Sequence, residues 1–337
     1  MGGGGWYGAQ RASQIESGMG KRTKRSVMLV VLVAVLAAVA IVGVVSWIAG
    51  PFTLDWRDRR PIGVLFLADT SHASLTNPRG WFNQPRLDVR GAEGAETFRK
   101  ALLAYADRSI AILKQTHAQG AVVWDLEGEQ YPQKISYIGD PRVLDRQAPE
   151  MALAVDEFLG RLRAAGLRIG MTIRPQRLVF GSDGNPQQTE VPDWDRVLLE
   201  KIDYARKRWG ASLFYIDSNA GIRDPDELFR LRRVAEARPD VLLIPEHHEP
   251  LYRAFSAPYR RLRDQTAFSV LLERSGSLLY SRSFEALNIA DAGQREAEIL
   301  AARDRGDVLL FPAWVRSAVS VLLTEMANEG SAAGGGR

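Results

Sequence analysis

Residues 194–219 read WDRVLLEKIDYARKRWGASLFYIDSN. From Trp194 to Trp209 the apolar side chains recur at helical spacing. Ser212–Ile216 is then a short apolar run that ends directly on Asp217. A helix that leads into a buried strand, with an acid at the strand's end, is the phrase from which the fold is read.

The same phrase recurs on both sides. Upstream lie strands at Ile62–Ala68, Ala121–Leu126 and Arg168–Ile173, with helices around Ala95–Thr116 and Glu150–Ala165. Downstream come a helix around Pro225–Ala237 and a fifth strand, Val241–Pro245. A sixth strand is placed at Ser277–Tyr280, with Phe268–Leu271 as its rival, and a seventh at Ala286–Ala290. A helix from Gly293 to Arg305, an eighth strand at Val308–Phe311 and a last helix to about Asn328 complete the count. Continuous apolar strands alternating with helices predict a parallel sheet covered on both faces. Eight such units fit a (β/α)8 TIM barrel of roughly 250 residues. A doubly wound sheet is the runner-up, but no G-x-G-x-x-G follows the first strand.

In a barrel the active site is built from residues at the C-terminal ends of the strands. Read in order, those positions are Asp69 with His72; Trp124, Asp125 and Glu127; Arg174; Tyr215, Asp217 and Asn219; Glu246, His247, His248 and Glu249; Asn288 and Asp291; and Trp314 with Arg316. Acids follow nearly every strand. Some of this has a plain cause, because Asp and Asn cap helices that start after a strand. Asp224 reads as such a cap, and Asp291 reads equally well as cap or site. Asp217 stands several residues before the next helix, so a cap is the less natural role, and Glu246 is similar. Asp125 and Glu127 alternate along an extended segment, which would turn both toward the mouth.

Facing carboxylates at a barrel mouth suit glycosidic bond cleavage, in which one protonates the leaving oxygen and another attacks the anomeric carbon or activates water. Asp217 and Glu246 are the expected catalytic pair, with Asp125 and Glu127 as the alternative. Trp124, Tyr215, Trp314, Trp81 and Tyr131 offer flat faces to a sugar, although aromatic residues near barrel ends also serve as packing. Asp69, Arg174, Asn219, His247 and Asp291 complete the expected substrate contacts. Arg174 would hold a hydroxyl or carboxylate, or neutralise the surrounding acids.

The segment GASLFYIDSN, Gly210–Asn219, resembles the fourth-strand segment of retaining α-glycosidase barrels such as the α-galactosidase-like group. An aspartate after strand four, a glutamate after strand five and an aspartate after strand seven are similar to the α-amylase-type layout. That resemblance implies Asp217 as nucleophile, Glu246 as acid/base and Asp291 as transition-state stabiliser. The arginine of the α-amylase group two residues before the nucleophile, and the lysine of the α-galactosidase group at the same spot, are both replaced by Tyr215.

Other chemistries have less support. The chain has no cysteine, which excludes a thiol nucleophile, disulfides and cysteine-ligated metals. A metal-dependent hydrolase would draw on His72, His247 and His248. The first strand lacks an H-x-H pair, and adjacent His247 and His248 would point to opposite sides of an extended segment. No metal and no cofactor are therefore expected. Neither a G-x-S-x-G elbow nor a phosphate-loop motif is present. The rival from another class is a non-catalytic, membrane-tethered polysaccharide-binding or assembly component, which would use the same acids and aromatics.

The net charge of +4 is explained by residues 1–26, where Arg11, Lys21, Arg22, Lys24 and Arg25 face only Glu16. The remainder is neutral, so the footprint of a nucleic-acid binder is lacking. That basic tail abuts VMLVVLVAVLAAVAIVGVVSWIAG, Val27–Gly50, which carries no charge. At ~1.5 Å per residue it spans about 36 Å, enough for a hydrocarbon core of roughly 30 Å. A cleaved signal peptide would have a shorter apolar region and small residues where Trp47 stands. The expected organisation is a cytoplasmic tail (1–26), a single transmembrane anchor (27–50), a linker (51–60), an extracytoplasmic barrel (61–328) and a disordered tail (329–337).

Overall fold

The computed structural model describes residues 26–36, 56–68, 73–128, 138–219, 226–247, 250–261, 277–279 and most of 297–334. The chain divides into two compact units, Met1–Thr53 and Leu54–Arg337. In the first, 26–36 is helical, and its apolar side chains from Val27 to Leu36 are exposed. Among the described residues no helix is long and apolar enough to cross a membrane. Residues 37–50 of the expected anchor lie outside the described residues.

The second unit is built on an eight-stranded sheet. Its elements are β1 (Ile62–Phe66), α1 (Gly91–Gln115), β2 (Gly120–Trp124), α2 (Val155–Ala164), β3 (Arg168–Ile173), β4 (Arg177–Phe180), β5 (Pro186–Thr189), α3 (Trp194–Trp209), β6 (Ala211–Ile216), α4 (Glu227–Ala237), β7 (Leu242–Pro245), β8 (Tyr259–Arg261), β9 (Ser277–Leu279), β10 (Val308–Pro312) and α5 (Ala318–Gly334). Local signals explain the helix ends. α3 stops where Gly210 adopts φ 71° and accepts the left-handed turn, with Arg206, Lys207 and Arg208 lying against the negative end of the helix.

Every pairing in the large sheet is parallel, and its order is β7-β6-β3-β2-β1-β10-β9-β8. Leaving out the β4–β5 hairpin, which forms its own antiparallel pair, this is the succession of a barrel opened between β7 and β8. The open edge of β7 is not bare, because Ala257 N–H donates to Leu243 O at 2.8 Å just ahead of β8. The curled sheet encloses a core of alternate strand residues: Ile62, Val64, Val122, Trp124, Leu213, Tyr215, Leu242, Ile244, Ala257, Val308 and Leu310. β3 contributes Gly170 opposite Val122 and Leu213. A Cβ there would lie 2.6 Å from the Leu213 Cβ and 2.8 Å from its carbonyl oxygen, so glycine lets β3 and β6 approach.

Three expectations change. Ser277–Leu279, within the stretch expected as strand six, is the seventh strand of the succession, and β8 is the sixth. Its residues Tyr-Arg-Arg carry no apolar run, so hydrophobicity gave no signal for them. The expected strands at Phe268–Leu271 and Ala286–Ala290 lie outside the described residues. The helix expected at Glu150–Ala165 is broken into a single turn, Pro149–Ala152, and α2. α5 continues to Gly334, into the tail expected to be disordered from residue 329.

Candidate active site

β6 runs between β3 and β7, and the main chain holds its end on both sides. Asp217 N–H donates to Ile173 O at 2.9 Å, and Glu246 N–H donates to Ile216 O at 3.0 Å. Ser218 then turns sharply with φ 57°, a conformation that costs energy for a residue with a side chain and recurs at functional sites. The turn aims Ser218 N–H at Glu246 Oε2, 2.8 Å away, and leaves Ser218 Oγ 3.3 Å from Asp217 Oδ2. Asp217 is 4% exposed, and its Oδ2 accepts from the buried Arg174 guanidinium through Nε, with Arg174 Nη2 as an ion-pair partner. Burial pushes the Asp217 carboxyl up to about 6. Arg174 opposes the shift, and the charge of the neighbouring Glu246 carboxyl adds to it. The cation on Asp217 thus comes from Arg174, one residue beyond β3.

Arg174 is held from all sides. Its N–H donates to Gly139 O at 3.0 Å, and its Nη1 donates to Gln188 Oε1 of β5 at 2.8 Å. Its carbonyl accepts from Lys201 Nζ at 2.7 Å. Gly139, Gln188 and Lys201 were not expected at the site. Lys201 did leave a signal, since it stands on the apolar stripe of α3 with Val197, Leu198, Ile202 and Ala205, all buried.

Asn219, expected to touch substrate, is 2% exposed and brackets two strand ends at the cavity wall. Its Oδ1 accepts from His247 N–H at 2.9 Å, and its Nδ2 donates to Glu227 Oε1 at 2.6 Å, an oxygen that also accepts from Tyr252 OH at 2.7 Å. A cavity of about 600 Å³ opens beside this turn, lined by Pro175, Gln176, Glu190, Val191, Pro192, Trp194, Ser218, Asn219, Glu227, Arg230 and His247. His247 is exposed there. Gln176 Nε2 ties the cavity wall together, donating to Glu190 Oε1 at 2.9 Å and to Ser218 O at 3.3 Å.

Two aromatic expectations are corrected. Trp124 and Tyr215 are 4% and 2% exposed and sit in the sheet interior, their rings 4.2 Å apart. Phe66 packs on Trp124 at 5.2 Å and meets the half-buried Trp314 edge-on at 5.0 Å. They form the floor beneath the acids, because residues pointing into a curled sheet fill it. Trp81 is also buried, its Nε1 donating to Glu150 Oε1 at 2.7 Å. Trp124→Ala is therefore expected to act on stability, costing about 3–5 kcal/mol as a large core truncation. Chemical denaturation gives the value, and ligand affinity of the folded fraction should stay unchanged.

Asp125 and Glu127 do not alternate along an extended segment. β2 ends at Trp124, Asp125 takes φ 58°, and Gly128 N–H closes a turn on Asp125 O at 2.8 Å. Asp125 is buried and lies within electrostatic reach of Tyr105. Glu127 is 2% exposed and lies near Asp140 and Lys201; burial, joined by the Asp140 charge, lifts its carboxyl to about 7. The folded state therefore favours the protonated acid. Its stabilising contribution is complete below the ordinary value of 4.5 and is lost as pH rises toward 7. Glu127→Gln should flatten the fall of the melting temperature across that window and raise it at pH 7, as scanning calorimetry at several pH values would show. Asp69, His72, His248, Glu249, Tyr131, Asn288 and Asp291 lie outside the described residues.

No family model matches the chain. No curated protein matches it. Among solved structures it is similar to α-L-fucosidase isoenzyme 1 from Paenibacillus thiaminolyticus, at 10% identity and a TM-score of 0.45, over 82% of this chain and 74% of that one. Thermotoga maritima α-fucosidase in complex with fucose is similar at 10% identity and a TM-score of 0.44, over 82% and 73%. A noncanonic maltogenic α-amylase from Thermotoga neapolitana is similar at 12% identity and a TM-score of 0.44, over 75% and 67%.

Proposed function

We propose that this chain is a glycoside hydrolase that acts on an oligo- or polysaccharide through Asp217 and Glu246. The observation that carries the reading is the setting of Asp217. It is a buried carboxyl at a strand's C-terminal end, gripped by one guanidinium and beside a second carboxyl, and the residues that follow it, Ser218 and Asn219, line a cavity of about 600 Å³. In paired carboxyl chemistry one acid must stay ionised to attack, and the Arg174 guanidinium on Asp217 favours its ionised form against burial. Asp217 attacks the anomeric carbon through a carboxylate oxygen. As the glycosidic C–O bond breaks, Glu246 gives its proton to the leaving oxygen. Glu246 then takes a proton from water as that water displaces Asp217, and the sugar leaves with retained configuration.

Retaining pairs stand about 5–5.5 Å apart, so that the sugar's anomeric centre lies between the two carboxyls. Glu246, half-buried and held by Ser218 N–H, turns away from Asp217 when the sugar enters between them. The same contact supports a second reading: a carbohydrate-binding protein without turnover, in which the two carboxyls never separate.

The uncharged stretch Val27–Gly50 beside a basic tail supports a single-pass anchor, with the tail cytoplasmic and the sheet-bearing unit on the far side of the membrane. A further membrane protein as partner remains part of the binding reading alone.

The full chain in detergent micelles, assayed against chromogenic glycosides and oligosaccharides, tests the proposal. Cleavage that Glu246→Gln abolishes for poor leaving groups, but spares for activated aryl glycosides, supports Glu246 as proton donor. Glycan binding with no turnover across the panel replaces the enzyme by the binding protein.

A further inference from the structure

The one buried ammonium of the described residues that the mechanism does not use is Lys201. It lies on the sheet-facing side of α3 and is 0% exposed. An ammonium there is costly unless all three donors are met. Nζ donates to Gly139 O at 3.1 Å, to Arg174 O at 2.7 Å and to Gln176 O at 2.8 Å. Asp140 Oδ2 is 3.6 Å away, and Glu127 and Arg142 also act on its charge.

The three acceptors are not a random set. Arg174 and Gln176 are the first turn beyond β3, and Gly139 is the residue whose carbonyl takes Arg174 N–H. Gly139 itself has φ 62°, and a Cβ on it would lie 2.8 Å from Arg174 N and 2.9 Å from Arg174 Cγ. One ammonium therefore gathers both backbone segments that confine Arg174, and Arg174 is the group that grips Asp217.

We infer that Lys201 is a positioning residue for the proposed reaction, holding the Arg174 guanidinium on Asp217 from behind. This rests on the glycosidase reading for its catalytic consequence, but not for its effect on Asp217. A methionine of similar length fills the same space without donors. The turn beyond β3 then relaxes, Arg174 moves, and Asp217 keeps its burial while losing part of its cation.

The test uses the full chain as wild type, Lys201→Met and Lys201→Gln. The readouts are the pH profile of kcat/KM on a cleaved glycoside and the carboxyl titration of Asp217, followed by carbon-13 NMR and assigned with Asp217→Asn. Displacements near 1 Å cost about 10²-fold in rate, so Lys201→Met should lower kcat tenfold to a hundredfold with KM within about threefold. The acidic limb and the Asp217 titration should both move up, and Lys201→Gln, which keeps an amide donor, should fall between. Folded variants with an unmoved titration overturn the inference, as does failure of both variants to fold, which would make Lys201 a residue of the fold alone. A moved titration in a chain that cleaves nothing keeps Lys201 as positioning residue and removes the glycosidase reading instead.

Discussion

Asp217→Asn gives a chain that folds as wild type does and cleaves glycosides at least about 10³-fold more slowly, because losing a covalent nucleophile removes a step rather than weakening it. The amide keeps an oxygen for the Arg174 guanidinium, and it no longer incurs the desolvation that pushes the acid to about 6. The melting temperature is therefore expected to stay within a few degrees of wild type. The pH dependence of stability between about 4 and 6 should lose the part that Asp217 contributes: its folded value is raised, so its support is complete at low pH and fades as pH rises through about 6. Azide added to the variant, standing in for the missing carboxylate, should restore turnover and give a glycosyl azide of inverted configuration. A variant that cleaves at the wild-type rate would remove Asp217 from the chemistry. Since Asp125 and Glu127 sit in a closed turn, it would also leave the described part of the mouth without an evident nucleophile.

Arg174→Met is the second large effect. The Arg174 guanidinium holds the Asp217 titration down against burial and Glu246. Without it, Asp217 is protonated across the neutral range and cannot attack. Removing one preorganised charge partner costs about 10²–10³-fold in rate, and part of that loss should return as the assay pH is raised to about 8. Breaking a buried pair costs about 3–5 kcal/mol when the remaining charge is trapped. Asp217 can accept a proton, so the lower end applies, and thermal unfolding should fall by several degrees. Arg174→Lys should recover the stability more than the rate, because an ammonium reproduces the charge but not the fork that reaches both Asp217 and Gln188. Equal pH profiles for Arg174→Met and wild type would contradict the assignment.

Much of the fold was legible because it is written in local periodicity. β3 and α3 have the bounds read from their apolar pattern, and β1, β2, β6, β7 and β10 differ only at their ends. The failures share a cause. β8 is three residues, Tyr-Arg-Arg, with no apolar run, and it is placed by parallel pairing with β9. The β4–β5 hairpin was missed for the same reason: its strands are short and partly exposed.

The site was legible to a lesser degree. A strand that ends on an acid announces itself, so Asp217 and Glu246 could be named from their strands. Which neighbours they have could not, because a side chain's partner belongs to another segment. Asn219 looked like a sugar contact, and it lines the cavity while its amide brackets two strand ends; Trp124 and Tyr215 looked like a sugar platform and are the sheet's floor. The alternation that turned Asp125 and Glu127 toward the mouth assumed an extended chain, and the positive φ of Asp125 ends it.

By itself, then, the sequence determined the alternation of strands and helices, the acids at the strand ends, and the uncharged stretch near the N-terminus. All three depend on residues adjacent along the chain or spaced by one helical turn. Tertiary structure alone decided that the guanidinium on Asp217 comes from Arg174, 43 residues earlier. It also decided that Lys201, on a helix between them, meets the carbonyl behind that guanidinium. These choices follow from sheet register and from the curl that brings β3, β6 and β7 side by side, and register is fixed by packing across strands, which local sequence does not encode.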